Sequence, residues 1–336
     1  MKILVIRFSS LGDIVLISPL FQKIKDIYPD SHLSFLTDKK YVELFKNDPN
    51  VDRIIPYDVS LENSIYLLRF LKRVRKEYYD IIIDCHKIPR SLLFFLFARG
   101  GKRRKIKKYS IERRLMVRRH SIKTIPHVVK RYLATIDGRN KSNYKPKIFL
   151  DMDERKKIKY LLKEKQGKRR IVGIVPGASK KTKMWELEKL RELTYRLIEK
   201  DYFIIFFGNM RENEIVRKII DGLGDSYLDL SGKTSIRELA LFIEACDVLF
   251  TTDSGPMHIA VAVGTSVVTI FGPTVPEFGF SPMGNDSVII SKELACRPCS
   301  LHGTDTCPLG HHNCMRLIEV REVIMEIERM LDMWEE

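Results

Sequence analysis

Short, wholly apolar runs recur along this chain, each followed by a polar loop of small residues and then by a stretch of helical periodicity, and few architectures accept that order. Lys2 to Ile6 reads K-I-L-V-I, the loop R-F-S-S-L-G-D follows, and an apolar helical pattern runs from Ile14 through Tyr28. The order repeats with Leu33 to Leu36, Tyr41 to Lys46, Val51 to Ile55, a helix around Ser64 to Glu77 and the apolar strand Ile81 to Ile83. Strands without polar alternation are covered on both faces, so the pattern predicts an α/β fold with a parallel sheet between helical layers.

From Asn140 to Gly167 the chain turns polar, passes Lys145-Pro146 and enters a charged helical run from Asp153 to Lys165, which reads as an inter-domain connection. The pattern then starts afresh. Ile171 to Val175 is a strand, P-G-A-S-K-K-T-K a loop, and Glu186 to Lys200 a helix with Leu187, Leu190, Leu193, Leu197 and Ile198 on one face. Later strands end at T-D-S-G-P and at G-P-T. A length of 336 residues, 44% of them hydrophobic, suits two cores better than one. The expectation is two Rossmann-like domains, residues 1–150 and 151–336, with ligands in a cleft at the strands' carboxyl ends. The last helix, about Glu319 to Met333, is expected to pack back on the first domain.

Lys and Arg outnumber Asp and Glu by 59 to 43, a net charge of +16, which favours anionic partners. Eleven of these cations fall between Arg99 and Arg119 against the single acid Glu112, in a stretch expected to be a loop or poorly ordered. No run approaches the roughly 18 to 20 apolar residues that span a bilayer, and the first residues enter a strand pattern directly, so a cytoplasmic protein is expected. Cys85 and Cys246 sit alone in apolar contexts and read as core filler, whereas Cys296, Cys299, Cys307 and Cys314 fall in one stretch with His302, His311 and His312. That spacing admits a structural zinc, a packed set of reduced thiols, or disulfides.

Three loops carry candidate chemistry. In the first, Ser10 and Gly12 surround Asp13, a carboxylate fit either to take a proton from a hydroxyl or merely to cap a helix. In the second, Ser179, Thr182 and three lysines including Lys183 precede a helix, an arrangement suited to a diphosphate or to a solvated basic turn. In the third, Asp253, Ser254, Gly255 and His258 close a strand and open a helix, with Ser254 as N-cap and Pro256 in the first turn. Asp253 would repel a diphosphate and is better placed to bind sugar hydroxyls or hold Lys183, and His258 reads equally as a packed helix residue. The absent G-x-G-x-x-G speaks against a nicotinamide dehydrogenase.

Together, I-R-F-S-S-L-G-D-I-V-L-I-S-P-L, P-G-A-S-K-K-T-K-M-W, the block from D-S-G-P-M-H to I-F-G-P-T and the late C-R-P-C...C-P-L-G-H-H-N-C-M resemble the ADP-heptose:lipopolysaccharide heptosyltransferases of glycosyltransferase family 9. The resemblance covers nearly the whole chain in order. It implies a GT-B fold and an inverting transfer that needs no cofactor and no metal, with ADP-heptose as donor and the lipopolysaccharide inner core, Kdo-lipid A or its heptosylated form, as acceptor. By the same resemblance Asp13 is the general base and Lys183 steadies the departing ADP. Ser179, Asp253, Ser254 and Gly255 match donor-binding positions, and Arg131 lies in a family-like segment near acceptor or phosphate. Family members often carry Pro where this chain has Glu186, which puts the following helix start in doubt.

The resemblance also implies work at the cytoplasmic face of the inner membrane, where the basic stretch would meet an anionic surface. Rival readings are a GT-B nucleotide-sugar epimerase or hydrolase and a nucleic-acid-binding protein. The last explains the charge but not the paired phosphate loops, and no nucleic-acid partner is expected.

Overall fold

A computed structural model describes residues 1–61, 63–137, 144–167, 169–284 and 286–332. Asn140 and Met333, which bound two of the expected segments, lie outside them. The chain divides into two compact units, Met1–Lys108 with Pro126–Phe149, and Tyr109–Ile125 with the chain from Leu150 onward.

The first unit holds β1 (Lys2–Ile6), α1 (Leu11–Val15), α2 (Ser18–Ile27), β2 (His32–Asp38), β3 (Arg53–Tyr57), α3 (Ser64–Arg75), β4 (Tyr78–Asp84), α4 (Pro89–Phe97) and β5 (Arg99–Lys105). After α5 (Ser110–Arg119), which belongs to the other unit, α6 (Val128–Leu133) returns to it. All strands pair in parallel in the order β3-β2-β1-β4-β5. One sheet face is sealed by an aromatic cluster in which Tyr57 meets Phe70 of α3 at 4.9 Å and Phe94 of α4 at 5.3 Å between ring centroids. On α2, Phe21 packs on Phe35 and Phe45. The sequence expectation of one helix from Ile14 to Tyr28 is corrected here. Pro19 has no N–H to continue the ladder and instead sits in the first turn of a second helix, so the chain bends between Val15 and Ser18. Buried Lys23 on α2 donates to the carbonyls of Leu133 and Ile136 at the end of α6, satisfying acceptors that a helix terminus leaves open.

The second unit adds α7 (Met152–Gln166), β6 (Ile171–Ile174), α8 (Leu187–Glu199), β7 (Phe203–Phe206), α9 (Asn213–Ile220), β8 (Tyr227–Asp229), α10 (Ile236–Glu244), β9 (Val248–Thr252), α11 (Gly255–Val263), β10 (Ser266–Phe271), β11 (Ser287–Ser291), α12 (Asn313–Arg316) and α13 (Val320–Asp332). Its parallel sheet runs β11-β10-β9-β6-β7-β8. Leu190, Leu193 and Leu197 of α8 meet Val323, Ile327 and Leu331 of α13 over the strand side chains Val172, Phe206, Phe250 and Val268. The final helix thus contributes to the core of this unit. The charged run read as a connection forms α7, capped by Asp151 and docked on α10 through two bidentate pairs, Arg155 with Glu244 and Arg237 with Glu154.

The basic stretch expected to be a loop is β5 followed by α5. An edge strand needs only one paired neighbour, and β5 takes β4 while its charged side chains stay in solvent, a composition that also discourages pairing with another chain. On α5, Met116 packs with Ile125, Val275 and Phe278, and the Arg113 guanidinium lies over the Phe280 ring.

Candidate functional site

In each sheet the strand order reverses once, between β1 and β4 and between β6 and β9, and ligands of open parallel sheets collect at that switch point. The loops after β1, β6 and β9, which carry Asp13, Lys183 and Asp253, open there.

In the first unit, Arg7 leaves β1 nearly buried and spends its guanidinium on three targets: the Ser9 carbonyl and the Cys85 carbonyl, each at 2.6 Å, and Asp13 Oδ2 at 2.7 Å. Burial works against this charge, but Asp13, Tyr132, Cys85 and Asp84 outweigh it and raise the Arg7 pKa. Ser10 takes the N-cap position of α1 without a side-chain bond to a helix N–H; its hydroxyl donates to Asp13 Oδ2 at 3.0 Å, while the Tyr132 hydroxyl donates to Oδ1 at 3.0 Å. Asp13 is therefore a side-chain-bound carboxylate in the first helical turn, on a buried Gly12, and its side chain remains 16% exposed, enough to meet a substrate.

His86, at the end of β4, accepts the Phe8 N–H at Nδ1, and burial, then Arg7 and Lys108, push its pKa down to about 3, so the imidazole is neutral at ordinary pH. Asp84 fixes that loop by accepting from the His86 and Lys87 amides and from Ser91 Oγ. Arg131 is buried on α6 and donates to the Lys108 carbonyl at 3.1 Å. The neighbour of Arg131, Tyr132, is the residue that touches Asp13, and nothing in the sequence pairs two positions that far apart.

In the second unit the loop after β6 brings Lys183 Nζ to 2.9 Å from Asp253 Oδ2, and Thr274 Oγ1 donates to the same oxygen at 2.7 Å. The pair is mostly buried, at 10% and 17% side-chain exposure. Of the two roles open to Asp253 from sequence, holding Lys183 is the one this geometry realises. Thr182 bonds Thr304 through both its amide and its hydroxyl, pinning the loop after β6 to the segment around Gly303. Gly303 has a φ of +82°, and a Cβ there would come within 2.9 Å of Lys183 Cγ, so the close approach requires glycine. Ser179 is exposed on the same loop.

Ser254 is the N-cap of α11 with Gly255 and Pro256 in its first turn, but its hydroxyl bonds Thr251 Oγ1 at 2.9 Å, leaving backbone N–H groups at the helix start for an anion. His258 is buried one turn further on. Glu186 ends the uncertainty over the neighbouring helix by taking the N-cap of α8 and pairing with Lys189 and Arg316.

Sequence reasoning missed Glu212. Its carboxylate fills the space beside Gly177 and Gly208, where a Cβ on Gly177 would approach Glu212 Oε1 to 2.1 Å. Burial raises its pKa, tempered by the Asn209 N–H at 2.6 Å. It stands at the loop after β7, and the strand–glycine–helix order F-F-G-N-M-R-E is the signal that points to it.

Among the described residues no group of three or more His, Cys, Asp or Glu side chains is placed to hold a metal ion. Cys296 Sγ lies 3.9 Å from His311 Nε2, and buried Arg297 between the cysteines donates to the carbonyls of Phe271 and Thr274. Burial, then neighbouring thiols, push the Cys299 pKa up and that of Cys314 to about 11. Cys85 and Cys246 are buried with strongly raised pKa values, as core thiols are.

Residues 67–309 match the family model "Glycosyltransferase family 9 (heptosyltransferase)". The chain is 30% identical to lipooligosaccharide heptosyltransferase 2 of Campylobacter jejuni over 98% of each chain, and 28% identical to lipopolysaccharide heptosyltransferase 1 of Campylobacter coli over 82% of this chain and 84% of that one. The fold superimposes on the E. coli ADP-heptose lps heptosyltransferase II with a TM-score of 0.80 at 22% identity, over 100% of both chains.

Proposed function

The chain belongs to glycosyltransferase family 9, the heptosyltransferases, and from that premise we propose that it moves a heptose from ADP-heptose onto the inner core of lipopolysaccharide. Matching relatives named for both heptosyltransferase 1 and heptosyltransferase 2 support the reaction class and leave the step in the series to experiment.

In this reading the first unit serves the acceptor and the second the donor. Asp13 takes the proton from the acceptor hydroxyl as its oxygen attacks the anomeric carbon. The bond from that carbon to the β-phosphate oxygen breaks with its electron pair, ADP leaves, and the configuration inverts. Arg7, Ser10 and Tyr132 hold the carboxylate in one orientation, so little reorganisation precedes the transfer. Lys183, steadied by Asp253, faces the charge that develops on the leaving diphosphate, and the N–H groups of Ser254 and Gly255 with the Ser179 hydroxyl bind its oxygens. Glu212 accepts hydrogen bonds from donor hydroxyls.

A lipid-linked acceptor places the enzyme at the inner membrane's cytoplasmic face. No described helix is long and apolar enough to cross a membrane, in keeping with peripheral attachment.

The observation that carries this reading is that each unit holds its own charged group at its own switch point, a side-chain-held aspartate in the first and a lysine–aspartate pair in the second. Its test is ADP release from ADP-heptose by the purified protein. Release that depends on Kdo-lipid A, or on its heptosylated form, supports the transfer and assigns the step; no release with either acceptor removes the heptose assignment.

A further inference from the structure

The helical layer that α3 and α4 form over β1, β3 and β4 shows an unusual surface. On α3, Phe70, Leu71 and Val74 face the core, yet Ile65 and Leu68 on the outer side are 65% and 58% exposed. The adjacent α4 buries Phe94 and Phe95 and ends in Leu96 and Phe97, 62% and 49% exposed. A single exposed leucine needs no explanation, but four large apolar side chains left exposed on two helices that pack together do.

Charge singles out the same face. Neither Ser64 to Lys76 nor Pro89 to Lys108 contains an Asp or Glu, while α3 exposes Arg69 and Lys72 and β5 exposes a run of cations. These cations are tied to the apolar edge. Arg103 donates to the Phe95 and Ala98 carbonyls at the end of α4, and Lys105 Nζ lies 4.6 Å from the Phe95 ring centroid. Arg104 turns to Asp137. Guarding a sheet edge accounts for the charge on β5 but not for exposed Ile65, Leu68, Leu96 and Phe97.

We propose that the outer face of α3 and α4, with its flank of β5, is the surface on which this protein docks to an anionic phospholipid bilayer. The apolar side chains enter the headgroup and acyl boundary while the surrounding lysines and arginines meet lipid phosphates, the combination that interfacial binding requires. An acidic protein surface would satisfy the charge and leave the four apolar side chains unused. The proposal rests on the reading above in one respect, that a lipid-linked acceptor has to be reached at a membrane.

The test is flotation of the full chain with vesicles of phosphatidylethanolamine and phosphatidylglycerol that contain no lipopolysaccharide, beside vesicles of phosphatidylcholine alone. The expected result is binding to the anionic vesicles only. The quadruple variant Ile65→Ser, Leu68→Ser, Leu96→Ser, Phe97→Ser and the pair Arg69→Glu, Lys72→Glu are each expected to bind at least about tenfold more weakly. Both are expected to keep the parent Tm and the parent rate of ADP release with a water-soluble, delipidated acceptor. Equal binding to both vesicle types, no binding to either, or variants that bind like the parent would overturn the proposal, as would a stable dimer that buries this face. Failure of the transferase reading shows separately, as absent ADP release with the soluble acceptor while vesicle binding persists.

Discussion

The guanidinium of Arg7 grips the same carboxylate oxygen of Asp13 that the Ser10 hydroxyl reaches, and the other oxygen belongs to Tyr132. Three donors from two distant parts of the chain thus fix one carboxylate. Asp13→Asn keeps the shape and removes the base, so ADP affinity is expected to stay within about twofold while kcat falls by about 10² or more, the usual worth of a general base. Isothermal titration with ADP and steady-state turnover separate the two, and normal turnover in this variant would remove the assignment.

Lys183 and Asp253 form a mostly buried pair, and removing one partner strands the other. Lys183→Ala is expected to weaken donor binding and to lower kcat by about 10² to 10³, as loss of a group that meets developing charge does. Asp253→Asn leaves the lysine untethered and is expected to raise KM for the donor with a smaller loss of kcat. A double-mutant cycle on kcat/KM is expected to show coupling of about 0.5 to 3 kcal/mol; strict additivity would mean that the two act independently.

The central strands of both sheets could be read from sequence because they are continuous apolar runs, a signal that burial on two faces imposes locally. The loops carrying Asp13, Lys183 and Ser254 were legible for the same reason, since each closes such a strand. Other features depend on tertiary context that no local pattern carries. Charged β5 has the composition of a loop and becomes a strand only because β4 offers it a partner. Tyr132 meets Asp13 across a fold, and the pattern drew attention to its neighbour Arg131, which braces the Lys108 carbonyl instead. The order F-F-G-N-M-R-E marks Glu212 as the acidic residue after a strand and a glycine, but only the fold brings Gly177 and Gly208 beside its carboxylate.

The cysteines divide by burial. Cys85 and Cys246 are enclosed and their thiols are pushed far up, whereas Cys296 and Cys307 are partly exposed. With a thiol-reactive dye at mildly alkaline pH, Cys296 and Cys307 are expected to label first, and Cys85 and Cys246 only on unfolding. Cys299→Ser is expected to cost about 0.5 to 3 kcal/mol of stability and to leave kcat unchanged. A Tm equal to the parent's, with reduced turnover, would place that thiol in the chemistry rather than in the packing.

His86 makes the fold sensitive to acid. Burial, Arg7 and Lys108 hold its folded pKa at about 3, against about 6.5 for an unfolded chain. Between those values the unfolded chain binds a proton that the folded one does not. Stability from this group is therefore complete above the unfolded pKa and is lost as pH falls from about 6.5 toward 3. Between pH 7 and pH 5 the loss is about 2 kcal/mol. His86→Gln retains a side chain able to accept the Phe8 N–H and cannot titrate, so its Tm is expected to fall less over that interval than the parent's. The comparison is a pair of melts at each pH, and equal losses in parent and variant would mean that the acid sensitivity lies in other groups.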